Sequence, residues 1–427
     1  MTTRRRFLSA GSALALASIA SPAVRAREAP RGTGRVVVVG GGYGGATAAK
    51  YLRVWSEGTL DVTLVEVTPA FVSCPMSNLV LGGSWNMDAI TVAYDALARK
   101  HGVRVVHETA VAVNPERRSV RLASGAVLPY DRLLLSPGVD FRWMDLPALQ
   151  AEDAQLRVPH AWKAGPQTIA LRRQLEAMPD GGTFVIAIPI APYRCPPAPY
   201  ERACQVAWYF RRAKPRAKVL VLDANPEITS KAALFRRAFD EEYKGIIEYR
   251  ANLVVTDVDV ATRTLQFEVD DPVRADVLNV IPPQGAGAIA RSADVITAND
   301  RWCEVDFLTM ESVKVPRIHV LGDAVQIAPN MPKSGHMANQ HAKVAAAAII
   351  ELLADRPPNP APVMANTCYS FITDRDAVHV TSVHQYDAAQ KTMLPVAAAG
   401  GLSPAMNPLE GEYGVAWSKS FWADMLG

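Results

Sequence analysis

The chain runs to 427 residues, 49% of them hydrophobic and 20% charged, a balance typical of a soluble globular protein but a length too great for one ordinary core. Two or three domains are therefore expected, and no internal repeat or low-complexity tract stands out. The formal charge of +3 belongs to the N-terminus: removing residues 1–26 deletes four arginines and no acid and leaves −1, which argues against nucleic acid as a partner.

The first segment, TRRRFLSAGSALALASIASPAVRA, has a basic start, a mild apolar stretch and small residues ending at Ala26. This pattern is that of an export signal, and Arg4, Arg5 and Arg6 before Phe7 and Leu8 give it the twin-arginine form. Ser and Gly interrupt the run, and it falls short of the ~20 apolar residues a membrane span needs. Residues 1–26 are thus expected to direct the folded protein to the periplasm, with no stable membrane insertion. All five cysteines (74, 195, 204, 303 and 368) then lie in an oxidising compartment, and the odd count leaves at least one unpaired. No CxxCH is present, so no haem is expected on this chain, and the eight histidines make no metal-ligand spacing.

GRVVVVGGGYGGATAAKYLRV follows: a β-branched strand, then Gly40, Gly42 and Gly45 in G-x-G-x-x-G, then a helix. Between strand and helix the triplet is a strong dinucleotide signal, since it makes a tight turn, lets backbone approach a pyrophosphate and lets helix close on strand. The helix N-terminus adds unpaired N–H groups for the phosphates. A second strand, LDVTLVEV, reaches Glu66 about 20 residues further on, where a carboxylate holds ribose hydroxyls. Cys74 reads, on its own, as an ordinary loop cysteine. Val111 is a further candidate cofactor contact, as is Gly138 at the end of the strand YDRLLLSPGVDF.

A second βαβ unit opens at GGTFVIAIPI and continues into APYRCPPAPYERAC. The strand is present and the next, KVLVLDANPE, ends at Asp223, yet the loop between them has no glycine. Its prolines lack the N–H groups that a pyrophosphate needs, so nicotinamide nucleotide binding is not expected there. Cys195 stands at this strand-to-helix corner, where the helix dipole is expected to lower its pKa, with Glu201 near the first turns as a proton acceptor. Cys204 and Cys303 read as structural. FRRAKPRAK (210–218) is a basic cluster best read as a solvated helix face.

Near the end of the chain, PRIHVLGDAVQIAPNMPKSGHMANQHAK (316–343) gives a strand, then Gly322 and Asp323, then a helix starting near Ser334. With the Ser136–Gly138 turn, this resembles the recurring segments of the two-dinucleotide-domain flavoproteins, which implies FAD, an Asp323 contact to the ribityl–phosphate arm, and a helix end aimed at the flavin. Lys333 either adds to that positive field or is a surface lysine. VAAAAIIELLA reads as a buried helix and DRPPNPAP as a linker. NTCYS then sets Cys368 in a C-terminal strand region.

Taken together, GRVVVVGGGYGGATAAKYL, FVSCPMSNLVLGG, VPHAWKAGPQT, YRCPPAPYERA, LGDA…MPKSGHMAN and NTCYS resemble the flavin-binding subunit of flavocytochrome c sulfide dehydrogenase. The resemblance spans nearly all of the chain beyond the signal. It implies a thioether from Cys74 to FAD and a redox disulfide between Cys195 and Cys368. It also implies proton transfer assisted by Glu201, an aromatic at Trp422 returned toward the flavin, and a c-type cytochrome subunit as partner. Hydrosulfide would open the disulfide and its electrons would leave through the flavin. The fold implied is α/β, with two Rossmann-like dinucleotide-binding domains of glutathione-reductase type and a C-terminal α+β segment. The expected limits are 33–145 and 290–358 for the FAD domain, 146–289 for the inserted second domain, and 359–427 for the cytochrome-facing segment. Rivals are a sulfide:quinone oxidoreductase, an NAD(P)H-dependent disulfide reductase, and a non-catalytic electron-transfer subunit.

Overall fold

Val36 to Val39 are all buried, and a run of β-branched residues hidden on both faces suits a central parallel strand. The computed structural model, which describes residues 33–427, puts them there. The signal expected over residues 1–26 lies outside the described residues. Strand β1 (Gly34–Val39) leads through the glycine turn into helix α1 (Tyr43–Trp55) and back to β2 (Leu60–Val65), which pairs with β1 in parallel register from Gly34↔Leu60 to Val39↔Val65. A short helix α2 (Ser77–Leu81) follows the Cys74 loop, and β3 (Arg104–Val106) and β4 (Arg132–Leu135) extend the sheet to either side.

The chain then crosses into a second parallel sheet. Its strands are β5 (Thr183–Ile188), β6 (Lys218–Asp223), β7 (Ile247–Arg250) and β8 (Val277–Val280), in spatial order β7-β6-β5-β8. Helix α3 (Ala198–Ala213) joins β5 to β6 and is buried over most of its first three turns. The outward and return crossings run side by side, Val139–Phe141 pairing antiparallel with Gln284–Ala286. After the return, β9 (Val305–Asp306), β10 (Glu311–Ser312) and β11 (Ile318–Val320) complete the first sheet, with β11 parallel to β4.

Helix α4 (Gly335–Leu353) packs along α1, and its Ala345, Ala346, Ala348, Ile349 and Ile350 are buried, as the apolar run requires. The last part is antiparallel. β12 (Val363–Phe371) pairs with β13 (Ala377–Asp387), β14 (Thr392–Pro395) and β15 (Gly401–Leu402) also pair with β13, and α5 (Pro408–Leu426) closes the chain. Asn407 caps α5 by accepting the Glu410 N–H at 2.9 Å, with Pro408 in the first turn where its missing N–H costs nothing. Among the described residues no helix is long and apolar enough to cross a membrane.

Candidate active site

A cavity of about 560 Å³ opens at the carboxyl ends of β1, β2 and β4, between the first sheet and the Cys195 loop. Its floor is the glycine turn. A Cβ on Gly45 would stand 1.7 Å from the Gly40 carbonyl oxygen, so helix and strand close only without one, whereas a Cβ on Gly42 would meet nothing within 4 Å because that face is the cavity. Glu66 is oriented by the Gly41 N–H at 2.6 Å and by the Thr68 N–H and hydroxyl, both at 2.8 Å. Ser136, Pro137 and Gly138 form one wall, with Gly138 at φ +62°. Gly322 and Asp323 form another, and Asp323 Oδ1 is buried without a hydrogen-bond partner among the described residues. An orphaned carboxylate oxygen is costly to bury unless a ligand hydroxyl meets it. The acceptor at Asp323, the phosphate cradle at Gly42 and the carboxylate at Glu66 therefore fit the ribityl, pyrophosphate and ribose parts of FAD.

The far end of the cavity is sulfur-rich. Cys74 lines it and so is no ordinary loop residue: its Sγ receives the Arg194 guanidinium at 3.1 Å and the Ala164 N–H at 3.5 Å. Cys195, also in the lining, and Cys368 are hydrogen-bonded to each other through their sulfurs. Both stand as free thiols.

The N-terminus of α4 draws these two cysteines together. The Lys333 carbonyl takes the Cys195 N–H at 2.7 Å, while Ser334, the helix cap, donates its hydroxyl to Asn366 Oδ1 at 2.7 Å, two residues before Cys368 on β12. His336 Nδ1 accepts the Thr367 N–H at 2.9 Å. Cys195 is held at φ +54°, a conformation that non-glycine residues seldom adopt outside constrained sites. Glu201, on the first turn of α3, reaches the same strand: Oε1 accepts the Phe371 N–H at 2.9 Å and Oε2 accepts from Asn78 Nδ2 at 3.0 Å. Burial pushes its carboxyl above the usual carboxylate range.

The thiol reading made from the helix dipole needs correction. The Cys195 thiol is raised well above the ordinary value, by its hydrogen bond to Cys368 and by burial, with the Glu201 charge adding to both. Cys368 is the depressed member, lowered to about 7 by the hydrogen bond from Cys195 and by the Lys231 cation against the opposing cost of burial. The α3 dipole is a weaker influence because the helix begins only at Ala198, three residues beyond the thiol, while Cys368 acts on it directly.

Three further expectations are adjusted. Val111 is 39% exposed and outside the cavity, whose lining includes its neighbours Thr109 and Ala110. Trp422 is buried one layer behind the cavity, its indole N–H donating at 3.2 Å to Tyr43, which lines the cavity together with Phe71 and Tyr94. Lys333 is no surface lysine. It is 3% exposed, its ammonium bonds the Asp323 and Val325 carbonyls, and it lies 3.6 Å over the Trp302 ring. Burial lowers it to about 7. Cys204 and Cys303 are fully buried away from the cavity, as structural cysteines should be. Sequence reasoning missed Lys231, Asn78 and Arg194. Only Arg194, adjacent to Cys195, carried any signal.

Asp223, at the end of β6, is fully buried and accepts from Tyr200 at 2.6 Å, Tyr249 at 3.0 Å and Asn225 Nδ2 at 2.7 Å. Its carboxylate is fully engaged by the protein itself.

Fold and cavity together define a two-dinucleotide-domain flavoprotein, and the pyridine nucleotide-disulphide oxidoreductase profile matches residues 34–165. The profile "Sulfide dehydrogenase [flavocytochrome c] flavoprotein chain, central" matches residues 168–282, and that of the flavocytochrome c sulphide dehydrogenase flavin-binding domain matches 360–426. The chain belongs to the family of flavocytochrome c sulfide dehydrogenase flavoprotein chains. A flavoprotein chain of that name from Chlorobaculum thiosulfatiphilum is 63% identical over 49 residues, which cover 12% of this chain and all of that sequence. The mitochondrial sulfide:quinone oxidoreductase of Dictyostelium discoideum is 24% identical over 310 residues, covering 70% of this chain and 66% of that protein's length. Among solved structures, the sulfide:quinone oxidoreductase of Aquifex aeolicus superposes with a TM-score of 0.75 at 20% identity, over 92% of this chain and 91% of its own. This last likeness is one of fold.

Proposed function

We propose that the protein oxidises hydrosulfide at a redox disulfide between Cys195 and Cys368, beside an FAD held covalently through Cys74. The electrons then pass to a c-type cytochrome on another chain, in the periplasm, after twin-arginine export of the folded protein. The observation that carries this reading is the meeting of two cysteines, remote in sequence, at the wall of a flavin-sized cavity with a buried carboxylate beside them. Hydrosulfide attacks one sulfur of the disulfide: the S–S bond breaks, a new one carries the sulfane sulfur, and the other sulfur leaves as thiolate. Over a turnover hydrosulfide loses one proton and two electrons, and Glu201 stands beside the pair as the acceptor for the proton. Bound flavin supplies an acceptor for the electron pair that can return it one electron at a time. Nicotinamide nucleotides are poor candidates for the exit, because Asp223 is already engaged and the loop before α3 lacks glycine.

A quinone acceptor is the second reading, favoured by the fold shared with the Aquifex aeolicus enzyme. Anaerobic mixing with hydrosulfide followed by either cytochrome c or a short-chain quinone separates the two. The cytochrome is expected to be reduced in preference, with turnover lost in Cys195→Ser and in Cys368→Ser while the flavin spectrum persists. Full turnover in either serine variant would end the disulfide mechanism.

A further inference from the structure

Lys231 has no part in the chemistry just described, yet it is 5% exposed and seated on the Cys368 strand. Its ammonium donates to the Cys368 carbonyl at 2.8 Å, to Ser370 Oγ at 2.8 Å and to the Val378 carbonyl at 3.5 Å. Its backbone sits at φ +55°, so the residue is held in a sparsely populated conformation that aims the side chain inward just ahead of the helix at Ala232. We propose that Lys231 is a positioning residue for the cysteine pair: its ammonium fixes Cys368 as the sulfur that carries negative charge when the pair stands open, and leaves the proton with Cys195.

The charges facing the pair support this division. Glu201 opposes a thiolate on either sulfur and so does not choose between them. Arg194 faces Cys195, but its guanidinium lies on Cys74 Sγ and the Trp162 carbonyl. Arg202, also turned toward Cys195, is occupied by Asn78, Asn279 and the His160 and Ala161 carbonyls. Tyr43 and Tyr193 stand near Cys195 as neutral phenols, both raised by burial. On the other side burial lowers the Lys231 ammonium from its ordinary value, and Cys368, Glu201, Cys195 and, further out, Glu410 oppose that shift, Cys368 foremost. A cation bound to the carbonyl of Cys368 itself acts on that thiol more strongly than on its partner.

The inference rests on the disulfide reading of the pair, and the test separates the two. Holoprotein is reduced anaerobically, pulsed with iodoacetamide from weakly acidic to weakly alkaline pH, and the labelled cysteines are assigned by peptide mass. In the unaltered protein Cys368 is expected to react ahead of Cys195 at neutral pH. Lys231→Met should slow its labelling about fivefold there, the loss of thiolate expected when a thiol titrating near neutrality rises by about one pKa unit, and move its profile upward. Lys231→Arg should restore most of the rate. Equal or reversed labelling in the unaltered protein overturns the proposal whether or not the variants fold, as does an unmoved Cys368 profile in Lys231→Met. Failure of Cys195 and Cys368 to form a disulfide on mild oxidation would instead count against the underlying reading.

Discussion

Replacing Glu201 by Gln tests the site where its geometry is most constrained. Both carboxylate oxygens accept, one from the Phe371 N–H at 2.9 Å and the other from Asn78 Nδ2 at 3.0 Å. Neither donor can turn into an acceptor. The Phe371 N–H is fixed in β12, and Asn78 is pinned because its Oδ1 already accepts from Arg202 Nε at 3.1 Å. A glutamine must therefore point its NH₂ at one of these donors, losing a hydrogen bond and leaving a buried donor unmet, at a cost of about 1–3 kcal/mol. The proton acceptor is lost as well, and removal of a positioned base typically slows its step roughly 10²–10⁴-fold. Thermal unfolding should thus show a modest loss of stability, while stopped-flow reduction of the flavin by hydrosulfide should fall at least about a hundredfold at saturating substrate. Because burial raises the carboxyl, the residual pH dependence should also change: the native enzyme loses rate as pH falls through that raised value, and the variant should not. A variant that keeps more than half the native rate with an unchanged acid limb would refute the assignment of Glu201 to proton transfer.

Cys74→Ala should still bind flavin but release it into the supernatant on acid denaturation, whereas the native chain should keep its fluorescence on a denaturing gel. Gly42→Ala should leave thermal stability intact, since its Cβ meets no protein atom, and yet lower the flavin-to-protein absorbance ratio; Gly45→Ala should lose both, with a packing cost of roughly 1–3 kcal/mol. Lys333 supplies a pH prediction with a defined sign. Its pKa falls from the ordinary 10.5 to about 7 on folding, so the unfolded chain binds the extra proton between those values. Stability contributed by this group is present above 10.5 and lost as pH falls toward 7. The melting temperature of the native protein relative to Lys333→Met should accordingly rise from neutral to alkaline pH, and a flat difference would refute the burial argument.

Phosphate recognition is local, so Gly40, Gly42, Gly45 and Glu66 could be read from spacing alone, and so could the loss of the second glycine loop. The cysteine pair was legible only through the resemblance, because nothing in the spacing of Cys195 and Cys368 says that Lys333 and Ser334 will anchor both segments. Lys231 and Asn78 act through tertiary contacts and left no trace in pattern. Reading Cys195 from its own helix misjudged its acidity, since the groups that decide it, Cys368 and Glu201, act through a buried contact and not through the helix end. Val111 failed for a simpler reason: it falls where the Ala110–Asn114 strand shifts register, a break in the two-residue alternation that the sequence does not announce.

The tyrosine cage around Asp223 bears on any attempt to build nicotinamide binding into the second sheet. Restoring glycines to the loop before α3 would offer amides to a pyrophosphate, but the carboxylate meant for the ribose would remain bound to Tyr200 and Tyr249. Glycines alone would thus supply one half of a nucleotide grip and leave the other half shut, and an engineer seeking a nicotinamide-linked version would have to alter loop and cage together.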